Sequence, residues 1–541
     1  MRRLLLALTA VAAASAAPAQ PPPKPPRLVI VISVDQLSSD LFGEYRPHFT
    51  GGLARLSRGT VFRNGYQGQA ATETCPGHST ILTGALPARS GIVANQWIDQ
   101  SIARADKTVY CAEDERIAGS SSKDYTVSPV HLKVPTLGDM LKQLSPDSQN
   151  VAVAGKDRSA VMMSGHSADQ RWYWKGQGFA TDLARAPVAP SVGQVNSAVR
   201  AMVAAPQLPL EPPPFCLAKA AAIPLPDGRS VGSGRFARAA GDSRAFRASP
   251  ALDGATLALA GGLIRDSRLG QDQAPDILSI GLAASDYVGH AFGTQGQEMC
   301  LQLLSLDRDL GGFFAALDRA ALDYSVVLTA DHGAQDLPER ARASHPLAAR
   351  IDPALSAEAV GRAVGRKLGL TGPVLLGGLA GDIYIDRKLS AAQQARAKAE
   401  AVATFRAHSQ VAAVFTAEEL QRTAIPSGSP ARWTLMQRVR ASFYPSRSGD
   451  IVVVPKERIT PIDVPEPGYV ATHGTPWDYD RRVPILFWRA GMSKSERMEA
   501  VGTTDILPTV ASMIGIPIAT DSIDGTCLGG MTGVVCPTVG Y

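Results

Sequence analysis

Past its first twenty residues the chain has no apolar run approaching the roughly 18 residues that a membrane helix needs, so the sequence predicts no span in the mature protein. It has no internal repeat and no heptad array, which removes solenoids, propellers and long coiled coils. It has little net charge: the formal excess is +5 over 541 residues, too small to argue for a nucleic-acid duplex as partner. Cysteine is scarce, with six in all. What remains, with 45% hydrophobic and 19% charged residues, is an ordinary globular composition with ample core material.

The one long apolar run is at the start. MRRLLLALTAVAAASAAPAQ has a basic opening, an apolar stretch from Leu4 to about Ala17 and small residues in an A-x-A pattern. This reads as a secretory leader over residues 1–19, with cleavage before Gln20 and Ala16 as an alternative point. The mature protein is then expected to be soluble and exported, periplasmic or extracellular, a compartment that permits disulfides. Six cysteines allow fifteen pairings among which sequence cannot choose. Cys527 and Cys536 flank a Gly-rich turn and make the easiest local pair. Residues 20–26 read as a stiff Pro-rich linker, and 27–541 as one domain carrying insertions. The stretch 172–250, rich in Pro, Ala and Gly with weak periodicity, reads as an insertion, and 346–448, with further α and β elements but no metal-binding candidates, as a cap.

Residues able to bind metals recur where strand-like runs end. Asp35 follows RLVIVISV, Asp286 and His290 follow PDILSIGLAAS, Asp331 and His332 follow YSVVLTA, and His473 lies in THGTPWDYDRRVPILF. Runs that are apolar with little alternation suit strands buried on both faces. The expected fold is α/β, a central mostly parallel sheet flanked by helices with inserted cap regions. In such a sheet the carboxyl ends of the strands share one edge, where distant residues converge. Three Asp and three His are enough for two metal ions, and mixed carboxylate and imidazole ligands suit zinc, with manganese or iron tolerated. Two ions about 4 Å apart suit phosphoester hydrolysis. Taken singly, each residue also has a structural reading: a capping Asp, a core or surface His.

The turn TETCPGHSTILTG supplies a nucleophile. Thr74 is the candidate, with Thr72 and Thr80 as alternatives, since coordination to a dication makes a hydroxyl reactive near neutrality. Cys75 has a thiol reading and a disulfide reading. Asn95 in GIVANQW is a donor for a phosphoryl oxygen or simply a turn residue, and Lys156 and Arg158 in AVAGKDRSA are a charged clamp or a solvated pair.

From Asp35 to about Asp505 the sequence resembles the alkaline phosphatase superfamily, in particular the phosphate-irrepressible, single-chain, threonine-nucleophile alkaline phosphatases. VISVDQL, TETCPGHSTILTGALPARSGIVANQW, AGKDRSAVMMSGHSADQRWYWKGQGF, SDYVGHAFG, TADHGAQ and THGTPWDYDRRVPILF carry the resemblance. It implies that Asp286, His290 and His473 hold one zinc, while Asp35, Asp331 and His332 hold the other beside Thr74. It implies too that Asn95, Lys156 and Arg158 bind phosphate oxygens with help from the backbone N–H of Cys75. The expected activity is phosphomonoesterase through a phosphothreonine, by a monomer acting on small phosphate monoesters without membrane or duplex nucleic acid, with side phosphodiesterase activity. One departure is local: AFGTQGQEM follows His290 where the family has a Pro after the Gly.

Two rivals remain at this point. A nucleotide pyrophosphatase/phosphodiesterase relative shares the metals, Thr and Asn but lacks the Lys/Arg clamp, so GKDR favours a monoesterase. An inactive zinc- or phosphate-binding protein has no need for an activated threonine.

Overall fold

The computed structural model describes residues 24–184 and 188–537; the expected leader, its cleavage point and most of the Pro-rich linker lie outside the described residues. A ten-stranded sheet organises the chain. At its centre is Leu28–Val34, parallel to Asp276–Leu282 on one side and to Tyr324–Thr329 on the other. Asn150–Ala154 and Gln170–Lys175 continue in parallel beyond Asp276–Leu282. Antiparallel pairing enters with Arg482–Arg489, which lies between Tyr324–Thr329 and Thr60–Tyr66, and with the edge strand Gly178–Ala180.

The central strand shows why its sequence lacks alternation. Successive side chains of a strand point to opposite faces. Leu28, Ile30, Ile32 and Val34 enter one apolar core, Val29 and Val31 the other, and all are fully buried. The first core packs under the helices Pro250–Asp266 and Gln297–Arg319, and the second under Ile506–Ile514. A strand sandwiched in this way has no polar face to show.

Two boundaries differ from the sequence reading. Trp172–Ala180 pairs with the main sheet, so the stretch begun at 172 opens on sheet strands, with its helical part starting at Pro190. The cap expected at 346–448 reaches further: Ile451–Pro455 lies between Gly381–Ile385 and Val411–Thr416 in a separate four-stranded antiparallel sheet. An apolar run reports burial but not which sheet buries it. This smaller sheet, with the helices Ala357–Leu368 and Ala391–Ala407, forms its own apolar core. All six cysteines pair, as Cys75–Cys111, Cys216–Cys300 and Cys527–Cys536. Among the described residues no helix is long and apolar enough to cross a membrane.

Candidate active site

Parallel register places the acidic residues. Ser33 pairs with Thr329, so Asp35 and Asp331, each two residues further on, leave neighbouring strands level with one another. Val34 pairs with Leu282, after which the chain turns into the helix Ala284–Phe292 carrying Asp286 and His290 one turn apart. His473 comes from the irregular segment preceding Arg482–Arg489, not from a strand end. Asp35, Asp331 and His332 offer ligand atoms within 4.8 Å of one another, as do Asp286, His332 and His473. His290 joins the second group, its Nε2 being 3.2 Å from Asp286 Oδ1.

Each imidazole is aimed by its other nitrogen. Nδ1 of His290 bonds the carbonyl of Ala471 at 2.8 Å, that of His332 the carbonyl of Gly333 at 2.9 Å, and that of His473 the carbonyl of Thr72 at 2.7 Å. A carbonyl only accepts, so Nδ1 carries the proton and Nε2 is left with a lone pair facing the carboxylates. The buried Asp331 Oδ2 and His332 Nε2 receive or make no well-aligned hydrogen bond.

Protons alone balance this cluster badly. Burial, then Asp286 and Asp331, pushes Asp35 up to about 7. Burial opposes charge on His332, yet Asp331 and Asp35 raise it to about 9. Burial and the adjacent His332 push His473 down to about 3. Divalent cations would resolve the conflict, since they favour ionised carboxylates and neutral imidazoles together. The donor set therefore fits metal ions, with oxygen and nitrogen ligands of the kind zinc accepts.

The nucleophile candidate opens a helix. Thr74 is the first residue of Thr74–Thr83, buried, its Oγ1 3.3 Å from Lys156 Nζ and 3.4 Å from Arg158 Nη2. This helix meets the Asp331 strand end closely enough that a Cβ on Gly77 would lie 2.0 Å from the carbonyl oxygen of Asp331, so only glycine fits. Lys156 follows Asn150–Ala154 and caps the helix Asp157–Ser164. Its Nζ lies 2.6 Å from Asp35 Oδ2 and 2.5 Å from Asp286 Oδ2. Thr72 and Thr80 turn elsewhere: Thr72 Oγ1 donates to the carbonyl of Thr475, and Thr80 bonds Gly77, Gln67 and Thr503.

The Cys75 N–H, expected to assist at the phosphate oxygens, has a partner beside the site. It donates to Asn95 Oδ1 at 2.8 Å and so orients the Asn95 amide, leaving Nδ2 as the free donor. The thiol reading of Cys75 ends with its disulfide to Cys111.

Three further residues have no counterpart in the sequence reading. Gln36, immediately after Asp35, has φ 69°, a left-handed conformation rare for such a side chain. There its N–H donates to Asp331 Oδ1 and its Nε2 to Asp286 Oδ1, both at 3.2 Å. His78 Nδ1 lies 3.1 Å from Asp331 Oδ2. Glu73 accepts the Asn95 N–H at 2.7 Å, and burial raises its carboxyl above the ordinary range. The left-handed backbone of Gln36 carried no composition signal; CPGH showed a histidine one helical turn from Thr74.

Arg158, Asn95, Glu73, His290 and His473 line a cavity of about 660 Å³ whose far wall comes from the smaller sheet, including Asp382 and Tyr384.

The type I phosphodiesterase / nucleotide pyrophosphatase family model matches residues 29–476. The chain belongs to this family, within the alkaline phosphatase superfamily. It is 52% identical to alkaline phosphatase PhoK of Sphingomonas sp over 93% of this chain and 90% of that one. To alkaline phosphatase PhoD of Zymomonas mobilis it is 45% identical, over 93% and 88%. The crystal structure of alkaline phosphatase PafA superposes with TM-score 0.80 at 25% identity, covering 93% of this chain and 98% of the other. PafA has also been solved as a variant changed at one Thr, one Asn, one Lys and one Arg. Family membership and the central sheet both agree with the sequence reading.

Proposed function

We propose that the protein is a metal-dependent phosphomonoesterase of the alkaline phosphatase type, exported and zinc-loaded, with Thr74 as nucleophile. The observation that carries this reading is the placement of Lys156 and Arg158, both within 3.4 Å of Thr74 Oγ1 at the edge of the Asp/His cluster. A monoester presents three unesterified oxygens, and two cationic donors suit that charge better than the single negative charge of a diester. The PafA variant is altered at a Thr, an Asn, a Lys and an Arg, the residue types that stand here in the same order as Thr74, Asn95, Lys156 and Arg158.

Asp35, Asp331 and His332 would hold one ion, and Asp286, His290 and His473 the other. Two bound dications supply Lewis-acid stabilisation of the attacking and departing oxygens. The residues do the rest. Thr74 Oγ1 gives its proton to solvent and attacks phosphorus, the phosphorus–oxygen bond to the leaving group breaks, the departing alkoxide takes a proton from solvent, and a phosphothreonine forms. Asn95 Nδ2, Lys156 and Arg158 hold the unesterified oxygens through the charge build-up. Water then attacks phosphorus, the bond to Thr74 breaks, and inorganic phosphate leaves.

The decisive test is the ratio of kcat/KM for an aryl phosphate monoester and its matching diester, with zinc-loaded protein at alkaline pH. A large monoester preference is expected. A diester preference would move the protein to the phosphodiesterase branch of its family.

A further inference from the structure

A second cleft, of about 550 Å³, opens on the other side of Arg158. Its floor is Lys156, Arg158 and Tyr287, and its walls carry Lys123, Lys175, Arg244 and Arg247. These four come from three separated segments: the loop before Tyr125, the end of the strand Gln170–Lys175 and the helix Ser243–Arg247. Among the described residues none of the four forms an ion pair within 4.0 Å or donates a side-chain hydrogen bond, and Arg247 Nε is buried without a partner. Two acidic residues line the same space. Asp157 accepts the hydroxyls of Tyr110 and Tyr125, each at 2.7 Å, while Asp124 stands exposed at the mouth.

Arg247 distinguishes this cleft from a merely solvated basic surface. It is half-buried, its guanidinium carbon lies 4.5 Å from the centre of the Tyr287 ring, and its Nε is enclosed without an acceptor. The same ring carries Lys156 Nζ at 5.2 Å, so the clamp and Arg247 share one aromatic platform. An enclosed guanidinium donor without a partner is costly, and like charges gathered in one cleft repel unless an anion joins them. Planar guanidinium groups match phosphate oxygens in geometry as well as charge.

We propose that this cleft is a second phosphate-group subsite, in which Arg247, Arg244, Lys175 and Lys123 hold an anionic phosphate beside the one clamped by Lys156 and Arg158. The inference rests on the phosphomonoesterase reading and deepens it: the preferred substrates carry a further phosphate group, or the cleft holds the inorganic phosphate released. The opposite cavity, walled by Glu73 and Asp382, is left for the uncharged part of the leaving group.

The test compares fructose 1,6-bisphosphate with fructose 6-phosphate, and measures inhibition by inorganic phosphate, in wild type and Arg247→Gln. The bisphosphate-to-monophosphate ratio of kcat/KM is expected to fall about tenfold, through KM, because a charged hydrogen bond is lost. An unchanged ratio with an inhibition constant for inorganic phosphate raised about tenfold assigns the cleft to released phosphate instead. If both are unchanged in a folded variant, the subsite is overturned. Lys175→Gln, at an exposed strand end, gives the same readings should Arg247→Gln fail to fold. Calorimetric titration of the bisphosphate, and of inorganic phosphate, into Thr74→Ala, with and without Arg247→Gln, measures the same interaction without turnover. Absence of hydrolysis in wild type would therefore count against the phosphatase reading alone, whereas equal affinities of the two proteins for both the bisphosphate and inorganic phosphate in the titration would overturn the subsite.

Discussion

Lys156 Nζ stands 2.5 Å from Asp286 Oδ2, and both side chains are buried. The same ammonium is 2.6 Å from Asp35 Oδ2, so one lysine balances two carboxylates that the proposed ions would also bind. Breaking such a buried arrangement from one side costs about 3–5 kcal/mol. Lys156→Ala is thus expected to lower unfolding free energy by that order in chelator and to gain more from added zinc than wild type does. Denaturant unfolding with and without zinc measures both; equal zinc stabilisation in the two proteins would remove Asp35 and Asp286 from the metal site.

Lys156→Ala and Arg158→Ala should each lower monoester kcat/KM by about a hundredfold, the upper range for losing a charged hydrogen bond, and diester kcat/KM by far less. Parallel losses on both substrates would leave the two residues as structural supports and not as a phosphate clamp.

Thr74→Ala should abolish turnover while zinc content, read by elemental analysis, stays at the wild-type level. In wild type quenched during turnover, mass spectrometry is expected to find phosphate on the peptide carrying Thr74. Phosphate on another residue, or full activity in the variant, would relocate the nucleophile.

Beneath the active-site helix, Asp253 accepts the N–H of Ala284 and the Nε2 of Gln302, both at 2.9 Å. Burial pushes its carboxyl from 3.8 up to about 7. Between those values the folded chain keeps a proton that the unfolded chain has lost. Stability from this group is therefore complete below pH 3.8 and declines as pH rises to about 7. Asp253→Asn removes that titration, and a flipped Gln302 presents its buried, unpartnered Oε1 to the new amide. The variant should be about 1–3 kcal/mol more stable than wild type near pH 8, with the difference gone near pH 4. A constant difference across that range would show that Asp253 does not titrate as described.

Much of the site was legible because it lies at chain positions with strong local signatures. Asp35, Asp286 and Asp331 follow runs such as LVIVISV, DILSIGL and YSVVLT, whose lack of alternation reports burial on both faces. What stayed hidden depends on partners distant in sequence. Gln36 matters through Asp331 and Asp286, hundreds of positions away. The Cys75 N–H meets Asn95 Oδ1, and Glu73 accepts the Asn95 N–H, a pairing across about twenty positions.

The sequence by itself determined the α/β class, the strand ends where the candidate ligands Asp35 and Asp331 stand, the threonine turn and the GKDR segment, since each is a property of a few adjacent residues. Only the tertiary structure decided which strands neighbour one another, which cysteines pair and which sheet takes Ile451–Pro455. It alone gathered Lys123, Lys175, Arg244 and Arg247 beside Arg158. The physical reason is the range of the forces that leave a mark in sequence. Turn chemistry and strand periodicity act over a few residues, whereas pairing register and charge clustering are settled when the two faces of the sheet are buried together.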